Sequence, residues 1–210
     1  MTQSEPKRLL DGREKTRCVA AGIFFPDRAI KSATQKYLNK AGISAHVARR
    51  FWENRSSRTN SASETELIRS NVSYLFDGHR TVFSPGRFNT EDFPVLYTAK
   101  EAETAKSERF YYVAERDQPF EYVVFSLYAS GCMVDLRSYK DGQGVELSQL
   151  PHDDCQAVAK RIREDDGMSC QGVISQSARH SGGSCCNFFE IEGLEPGSII
   201  EHAVLPTSER

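Results

Sequence analysis

The sequence has no long apolar segment near its start and no strong excess of charge of either sign. Met1–Arg17 is polar and carries both charge signs, so it has neither the apolar core of a signal peptide nor the length of a membrane helix. With 27 basic and 29 acidic residues, the formal charge of -2 offers no general attraction to nucleic acid or to an anionic membrane. We therefore expect a cytoplasmic protein that binds neither, with delivery into a target cell by a route without a signal peptide left open.

Metal-binding spacings and common catalytic motifs are also missing. None of the six cysteines is spaced as C-x-x-C, and the five histidines are scattered without a repeated spacing. No G-x-S-x-G, Walker loop or G-x-G-x-x-G occurs, so neither a serine hydrolase nor a Rossmann protein is indicated. We predict no metal site and reduced, mostly buried thiols. Any bound anion must be held by a local cluster of side chains.

The length and composition fit one folded domain with a helical appendage. Its 210 residues are 39% apolar and 27% charged, which is typical of a chain with a sizeable core. The first third reads as helical, and the polar run Asn54–Asn60 looks like a linker. We predict an N-terminal helical extension or subdomain over residues 1–60 and a catalytic domain over residues 61–210. The predicted N-terminal helices are Asp27–Lys40, Ser44–Trp52 and Ser63–Leu75.

From Phe83 onward the pattern changes to short strands separated by turn residues. One helix is predicted to open at a capping box, Thr98–Glu101, and to run to about Ala114. Another follows Leu150, with Pro151 near its first turn. This order of elements favours an α+β domain with a mixed or antiparallel sheet. The predicted strands are Phe93–Tyr97, Glu121–Ala129, Met133–Leu136, Gly172–Ser177, Asn187–Glu192 and Ser198–Val204.

Glu108 is the first candidate for chemistry. In the helix after Tyr97 it lies three residues after Ala105 and four before Tyr112, so its carboxylate borders the apolar stripe that would face the sheet. Taken singly, a glutamate at this spacing is more often solvated, Arg87 is a surface arginine after a turn, and Tyr97 is a strand aromatic. Spacing alone therefore assigns no function to them.

Several short segments together carry a family resemblance. They are Pro85-Gly86-Arg87-Phe88-Asn89, then Pro94-Val95-Leu96-Tyr97-Thr98-Ala99, then Ala105-Lys106-Ser107-Glu108, and late in the chain Gly172–Arg179 followed by Asn187. In order and spacing these segments closely resemble the signature of the RES-domain family, named for Arg, Glu and Ser. The resemblance covers roughly residues 80 to 192.

The resemblance implies an ADP-ribosyltransferase-like fold, a split β-sheet that binds NAD⁺ as substrate. Many relatives are toxins of bacterial toxin–antitoxin pairs that degrade NAD⁺ by glycohydrolysis or phosphorolysis. Arg87 would hold the pyrophosphate, where a guanidinium donates two parallel hydrogen bonds. Tyr97 would contact the nicotinamide ribose, Glu108 would stabilise the charge that develops at C1′, and Ser177 would fix the ribose or carboxamide end. Asn187 matches the family's late asparagine.

Some assignments stay open. The family has a further arginine early in the domain, for which we favour Arg55 or Arg58 as part of the NAD⁺ site over Arg69 and Arg80. Rivals of Ser177 are Ser175, Ser181 and Ser184. Arg179 is a further candidate for anion binding. The segment His180–Ser184 fits either a phosphate cradle or a plain hairpin connection.

Three functions remain on the sequence alone. The first is an NAD⁺ glycohydrolase or phosphorylase, a growth-inhibiting toxin or effector restrained by a cognate antitoxin or immunity protein. The second is an ADP-ribosyltransferase acting on a macromolecule; arginine-directed enzymes of that kind carry Glu or Gln two residues before the catalytic glutamate, where this chain has Lys106. The third is a catalytically silent binding module of the same fold.

Overall fold

The computed structural model describes residues 13–24, 64–76, 83, 85–111, 120–164 and 170–205. Within them lie six strands, three α-helices and one 3-10 turn over Leu147–Gln149. The strands are β1 (Arg13–Phe24), β2 (Leu96–Ala99), β3 (Phe120–Asp135), β4 (Gly172–Gln176), β5 (Ser184–Phe188) and β6 (Leu194–Leu205). The helices are α1 (Glu64–Phe76), α2 (Ala102–Tyr111) and α3 (His152–Glu164).

The sheet is mixed and divides at β3. Its order is β1-β2-β5-β4-β3-β6, and β1 also pairs with β3 along twelve residues. On its other edge β3 pairs first with β6, over Phe120–Ala129, and then with β4, over Met133–Asp135. The β3–β4 pair is parallel and the other pairs are antiparallel. The predicted α+β class with a split, mixed sheet is confirmed.

Helices cover both faces of this sheet. On one face, Ile68 and Val72 of α1 pack against Phe125, Ile174 and Phe188. The opposite face carries α2 and α3, which pack over two separate clusters of buried residues. Successive residues of a strand point to opposite faces, so each strand contributes residues both to the α1 face and to the face that carries α2 and α3. The cluster at α2 contains Ala21, Ala99 and Ala105, and the cluster at α3 contains Phe88, Val134, Ile162 and Val173.

Several predicted elements are present with shifted ends. The predicted strands over Glu121–Ala129 and Met133–Leu136 form one continuous β3, whose β-branched and aromatic residues suit a pleated surface. The helix after Pro151 spans His152–Glu164, and the third N-terminal helix spans Glu64–Phe76. The strand predicted over Asn187–Glu192 instead spans Ser184–Phe188.

The predicted capping box at Thr98 is wrong. Thr98 is a residue of β2, and its hydroxyl donates to the carbonyl of Cys186 at 2.6 Å. The helix begins at Ala102, and the Ala105 amide donates to the Glu101 carbonyl. Thr98 has a tertiary partner on the neighbouring strand, so it does not cap the helix.

The described part of the N-terminal third begins with a strand. Arg13–Phe24 was not predicted as a strand, and it pairs with β3 from Arg13↔Val134 to Phe24↔Val123. The predicted helices Asp27–Lys40 and Ser44–Trp52 lie outside the described residues, and the boundary at residue 60 stays a prediction. None of the helices in the described ranges is long and apolar enough to cross a membrane.

Candidate active site

The candidate site lies on the sheet face that carries α2 and α3. Tyr97 of β2 is directly opposite Asn187 of β5, and Ser175 of β4 is opposite Cys185 two residues further along. Paired residues at this two-residue spacing share one face of the sheet. Asn187 and Ser175 are buried, and the Asn187 amide donates to the Ser175 hydroxyl at 3.3 Å. Tyr97 is 44% exposed, so a ligand can reach it from solvent.

Glu108 and Ser177 are in direct contact. The Ser177 hydroxyl donates to Oε1 of Glu108 at 2.6 Å, and the Ala178 amide donates to the same oxygen at 2.8 Å. The thiol of Cys185 points at it from 3.8 Å. None of the described residues donates to Oε2, the other carboxylate oxygen. The carboxylate is thus anchored by one oxygen, and the second is available to a ligand.

Tyr97 contacts the turn after Pro85 that carries Arg87. The Tyr97 hydroxyl donates to Oδ1 of Asn89 at 2.9 Å and accepts from the Phe88 amide at 2.9 Å. Gly86 lies beneath it, since a Cβ at that position would be 2.5 Å from the Tyr97 oxygen. The phenol therefore fixes the turn that carries Arg87. Asn89 is only 2% exposed, and although it belongs to the sequence motif it was not predicted as a site residue.

The Arg87 guanidinium is oriented by main-chain carbonyls. Its Nη1 donates to the carbonyls of Leu147 and Ser148, each at 3.1 Å, in the 3-10 turn before α3. From α3, the Gln156 amide donates to the Gly86 carbonyl at 2.7 Å. None of the described residues accepts a bond from Nε or Nη2 of Arg87. Two donor groups of the guanidinium are therefore available to an anion.

Cys185 links the two halves of the site. Burial, followed by the negative charge of Glu108, raises the pKa of the Cys185 thiol to about 12, and the positive charge of Arg87 acts on the same pKa in the opposite sense. Both charged groups therefore lie within electrostatic reach of one side chain. Cys185 was expected only as a buried thiol, and no local sequence signal marks it as a site residue.

The other candidates divide clearly. Arg55, Arg58 and Arg80 lie outside the described residues. Arg69 is exposed on α1, which packs on the opposite face of the sheet, so it does not reach this site. Arg179 lies at the rim, with its guanidinium carbon 3.3 Å from the centre of the Tyr111 ring.

Ser177 is the serine that meets Glu108, and its rivals do not. Ser175 is buried under Asn187, and the Ser184 amide points to Glu101 at 3.5 Å. Residues 180–183 form a tight turn in which the Gly183 amide donates to the His180 carbonyl and Gly182 has a φ of 77°. This segment is the hairpin connection between β4 and β5.

The cysteines in the described ranges carry no disulfide, and no group of three or more His, Cys, Asp or Glu within those ranges could hold a metal ion. Cys155 and Cys186 are buried, whereas Cys132, Cys170 and Cys185 are partly exposed. The prediction of mostly buried thiols is therefore only partly right.

Comparison with known proteins adds three findings. A solved structure of a toxin–antitoxin pair, the MbcT-MbcA complex of M. tuberculosis, is similar in structure with a TM-score of 0.45 and 17% identity, and the match covers 95% of this chain and 91% of the matched chain. No curated protein matches. The family model of the RES domain matches residues 67–205, more than half of the sequence and all of the site described above, and the chain therefore belongs to the RES domain family.

Proposed function

We propose that this chain degrades NAD⁺ by cleaving the bond between nicotinamide and ribose. The observation that carries the proposal is the pairing of an anchored carboxylate with an oriented guanidinium on one face of the sheet. Glu108 has one oxygen without a donor among the described residues, and Arg87 has two such donor groups without an acceptor. A dinucleotide carries the matching charges, a cationic nicotinamide ribose at one end and an anionic pyrophosphate in its middle.

Glu108 acts on the electron-poor sugar carbon. As nicotinamide leaves, positive charge develops at C1′, and a carboxylate that is already oriented stabilises it without reorganising. The bonds from Ser177 and Ala178 supply that orientation. Glu108 is the group on which we expect the rate to depend most.

Arg87 and Tyr97 hold the rest of the substrate. The free edge of the Arg87 guanidinium suits the pyrophosphate, because Nε and Nη2 can donate two parallel bonds to neighbouring oxygens. Tyr97, partly exposed on the same face, packs against the ribose and the nicotinamide. Asn187 lies beside Tyr97 on the neighbouring strand, buried on the same face, and Arg55 or Arg58 supplies a further contact to the anion.

Ser177 has a narrower role than the resemblance suggests. Its one proton goes to Glu108, and its oxygen accepts from the amides of Arg179 and His180 at 3.1 and 2.9 Å. One donor and two acceptors exhaust the capacity of a hydroxyl. Ser177 thus acts by orienting Glu108, and direct contact with the carboxamide would require it to exchange these bonds.

Water or phosphate is the acceptor that the site favours. Lys106, two residues before Glu108, is paired with Glu103 at 2.6 Å and with Glu201 at 3.0 Å. The hydrogen bond to Glu103, and next the bond to Glu201, raise the pKa of Lys106. A protonated lysine bound in this way cannot activate an arginine side chain as nucleophile.

The family's role in toxin–antitoxin pairs supports a cytoplasmic growth inhibitor that a cognate antitoxin or immunity protein blocks by covering this face.

Incubation of the purified protein with NAD⁺, with and without inorganic phosphate, tests the proposal. ADP-ribose as product identifies a glycohydrolase, and ADP-ribose 1″-phosphate identifies a phosphorylase. Glu108→Gln keeps an oxygen that can accept from Ser177 and Ala178 but loses the charge, so we expect turnover to fall about 100-fold or more. Labelled protein instead of free product would select the transferase, and no turnover would select the silent module.

A further inference from the structure

The hairpin connection between β4 and β5 touches α2 at two points one helical turn apart. Ser177, at its start, contacts Glu108, and Nδ1 of His180 lies 2.7 Å from the hydroxyl of Thr104. Thr104 and Glu108 are separated by four residues, so they lie on one side of α2. The connection therefore lies along the helix with two anchors in a fixed register.

The direction of the hydrogen bonds at Thr104 follows from counting protons. The Thr104 hydroxyl is 2.8 Å from Oε2 of Glu101, and a carboxylate can only accept. The single hydroxyl proton is thereby used, so Thr104 accepts from His180 and the proton of that bond is on Nδ1. The result is a chain, His180 to Thr104 to Glu101, that ends on a negative charge, which polarises and strengthens each bond in it.

Packing holds this anchor in place. Thr104 is fully buried, and Gly183 is pressed against it, because a Cβ at Gly183 would lie 2.5 Å from Oγ1 of Thr104. The same Cβ would lie 3.0 Å from Nδ1 of His180. A larger residue at position 183 would push the connection away from α2 at this point. The anchor is thus a close fit rather than a chance surface contact.

His180 also reaches the site through its backbone. Its amide donates to the Ser177 hydroxyl at 2.9 Å, and this hydroxyl donates to Glu108. The side chain of His180 therefore fixes the position of an amide that sets the direction of the Ser177 proton. Any shift of His180 along α2 is passed to the carboxylate through two hydrogen bonds.

We propose that His180 is a positioning residue, which through its bond to buried Thr104 holds Ser177 on Glu108 and so presents the second carboxylate oxygen to the substrate. Only the expected change in kcat rests on the NAD⁺-degrading function proposed above. The geometric consequence, an ordered connection on α2, is independent of the reaction.

Two substitutions of His180 separate positioning from bulk. His180→Asn keeps an N–H donor close to the place of Nδ1, whereas His180→Leu fills the space without a donor. Because misplacement by about 1 Å can cost about 100-fold, we expect kcat of His180→Leu to fall about 10- to 100-fold with KM changed less than about threefold. His180→Asn should keep kcat within about threefold, and His152→Leu, at an exposed position on α3, serves as control.

Amide hydrogen exchange tests the geometry without any substrate. The amides of Ala178, Arg179 and His180 bond to Glu108 and Ser177, so they should exchange at least tenfold faster in His180→Leu and at the wild-type rate in His180→Asn. Wild-type exchange and kcat in His180→Leu would overturn the proposal, as would equal damage in both variants. If the wild type does not turn over NAD⁺, the proposed function fails, and exchange alone decides the positioning role.

Discussion

Replacing Gly86 by alanine places a methyl group against the hydroxyl that fixes the Arg87 turn. The new Cβ would lie 2.5 Å from the Tyr97 oxygen and 2.8 Å from Oδ1 of Asn89. An ordinary contact begins near 3.4 Å, so the phenol or the turn must move by about 0.9 Å, which is 3.4 minus 2.5. The Tyr97 hydroxyl makes two hydrogen bonds of 2.9 Å, and a shift of this size breaks or weakens both.

The expected cost follows from these contacts. Two net hydrogen bonds contribute about 2 kcal/mol and overpacking strain about 1 kcal/mol or more, so the free energy of unfolding should fall by about 3 kcal/mol. For a chain of this size that lowers the melting temperature by about 6–12 °C. Arg87 moves with the turn, so kcat/KM for NAD⁺ should fall by about tenfold or more.

Thermal melts of matched variants check this reasoning. Gly142→Ala is the control, because a Cβ there meets no atom within 4 Å. On a Tyr97→Phe background the clash with the oxygen is gone, so Gly86→Ala should cost at least about 1 kcal/mol less than in the wild type. A melting temperature of Gly86→Ala equal to that of Gly142→Ala would refute the argument.

Three further results are expected. Arg87→Lys loses the planar guanidinium, so KM for NAD⁺ should rise about tenfold or more. Arg137→Lys, in an exposed ion pair, should leave KM unchanged. Equal KM values for the two variants would show that Arg87 does not contact NAD⁺. The hydrogen bond from Tyr122, and next the bond from Lys106, hold the pKa of Glu201 below its ordinary value of 4.5. The ionised Glu201 therefore stabilises the fold above pH 4.5, and this stabilisation is lost as the pH falls through the lowered pKa. The melting temperature of Glu201→Gln should therefore be lower than that of the wild type at pH 7 and should approach it in acid. A difference in melting temperature that widens in acid would contradict this. With a pKa of about 12, about one Cys185 thiol in ten thousand is ionised at pH 8. Mass spectrometry should therefore find Cys185 alkylated only after denaturation, and rapid labelling of the native protein would contradict the raised pKa.

The sequence predicted those helices and strands whose formation depends on residues close together in the chain. The helix over His152–Glu164 directly follows Pro151, which was predicted near its first turn, and it carries Cys155 and Ile162 on one buried side. The strand-rich run in Phe120–Asp135 was also predicted, although as two strands separated by a gap that contains Ser130 and Gly131. In the sheet both lie opposite β1, and the pairing continues through them.

Long-range pairing explains what the sequence could not predict. Arg13–Phe24 begins with charged residues and continues through Ala20, Ala21 and Gly22, so it has little strand preference of its own. Its structure comes from twelve partners on β3 that lie about a hundred residues later in the chain. Propensity within a short window cannot detect such a partner.

The site depends on long-range contacts in the same way. Glu108 and Ser177 are 69 residues apart, and Arg87 is held by carbonyls 60 and 61 residues away. Only the family resemblance suggested that Arg87, Tyr97, Glu108 and Ser177 act together. Asn89 and Cys185 were assigned no part in the site, since nothing in their immediate neighbourhood distinguishes them from an ordinary turn residue and a core thiol.

The way in which the arginine is held has a consequence for how this protein can change over evolution. Every amino acid supplies a peptide oxygen, so the residue at position 148 can be exchanged for many others without altering what Nη1 of Arg87 meets. A deletion or insertion near this position would instead shift the peptide path and release the guanidinium. Homologous chains should therefore vary freely in residue type at position 148 while preserving the length of the segment that leads from it into α3.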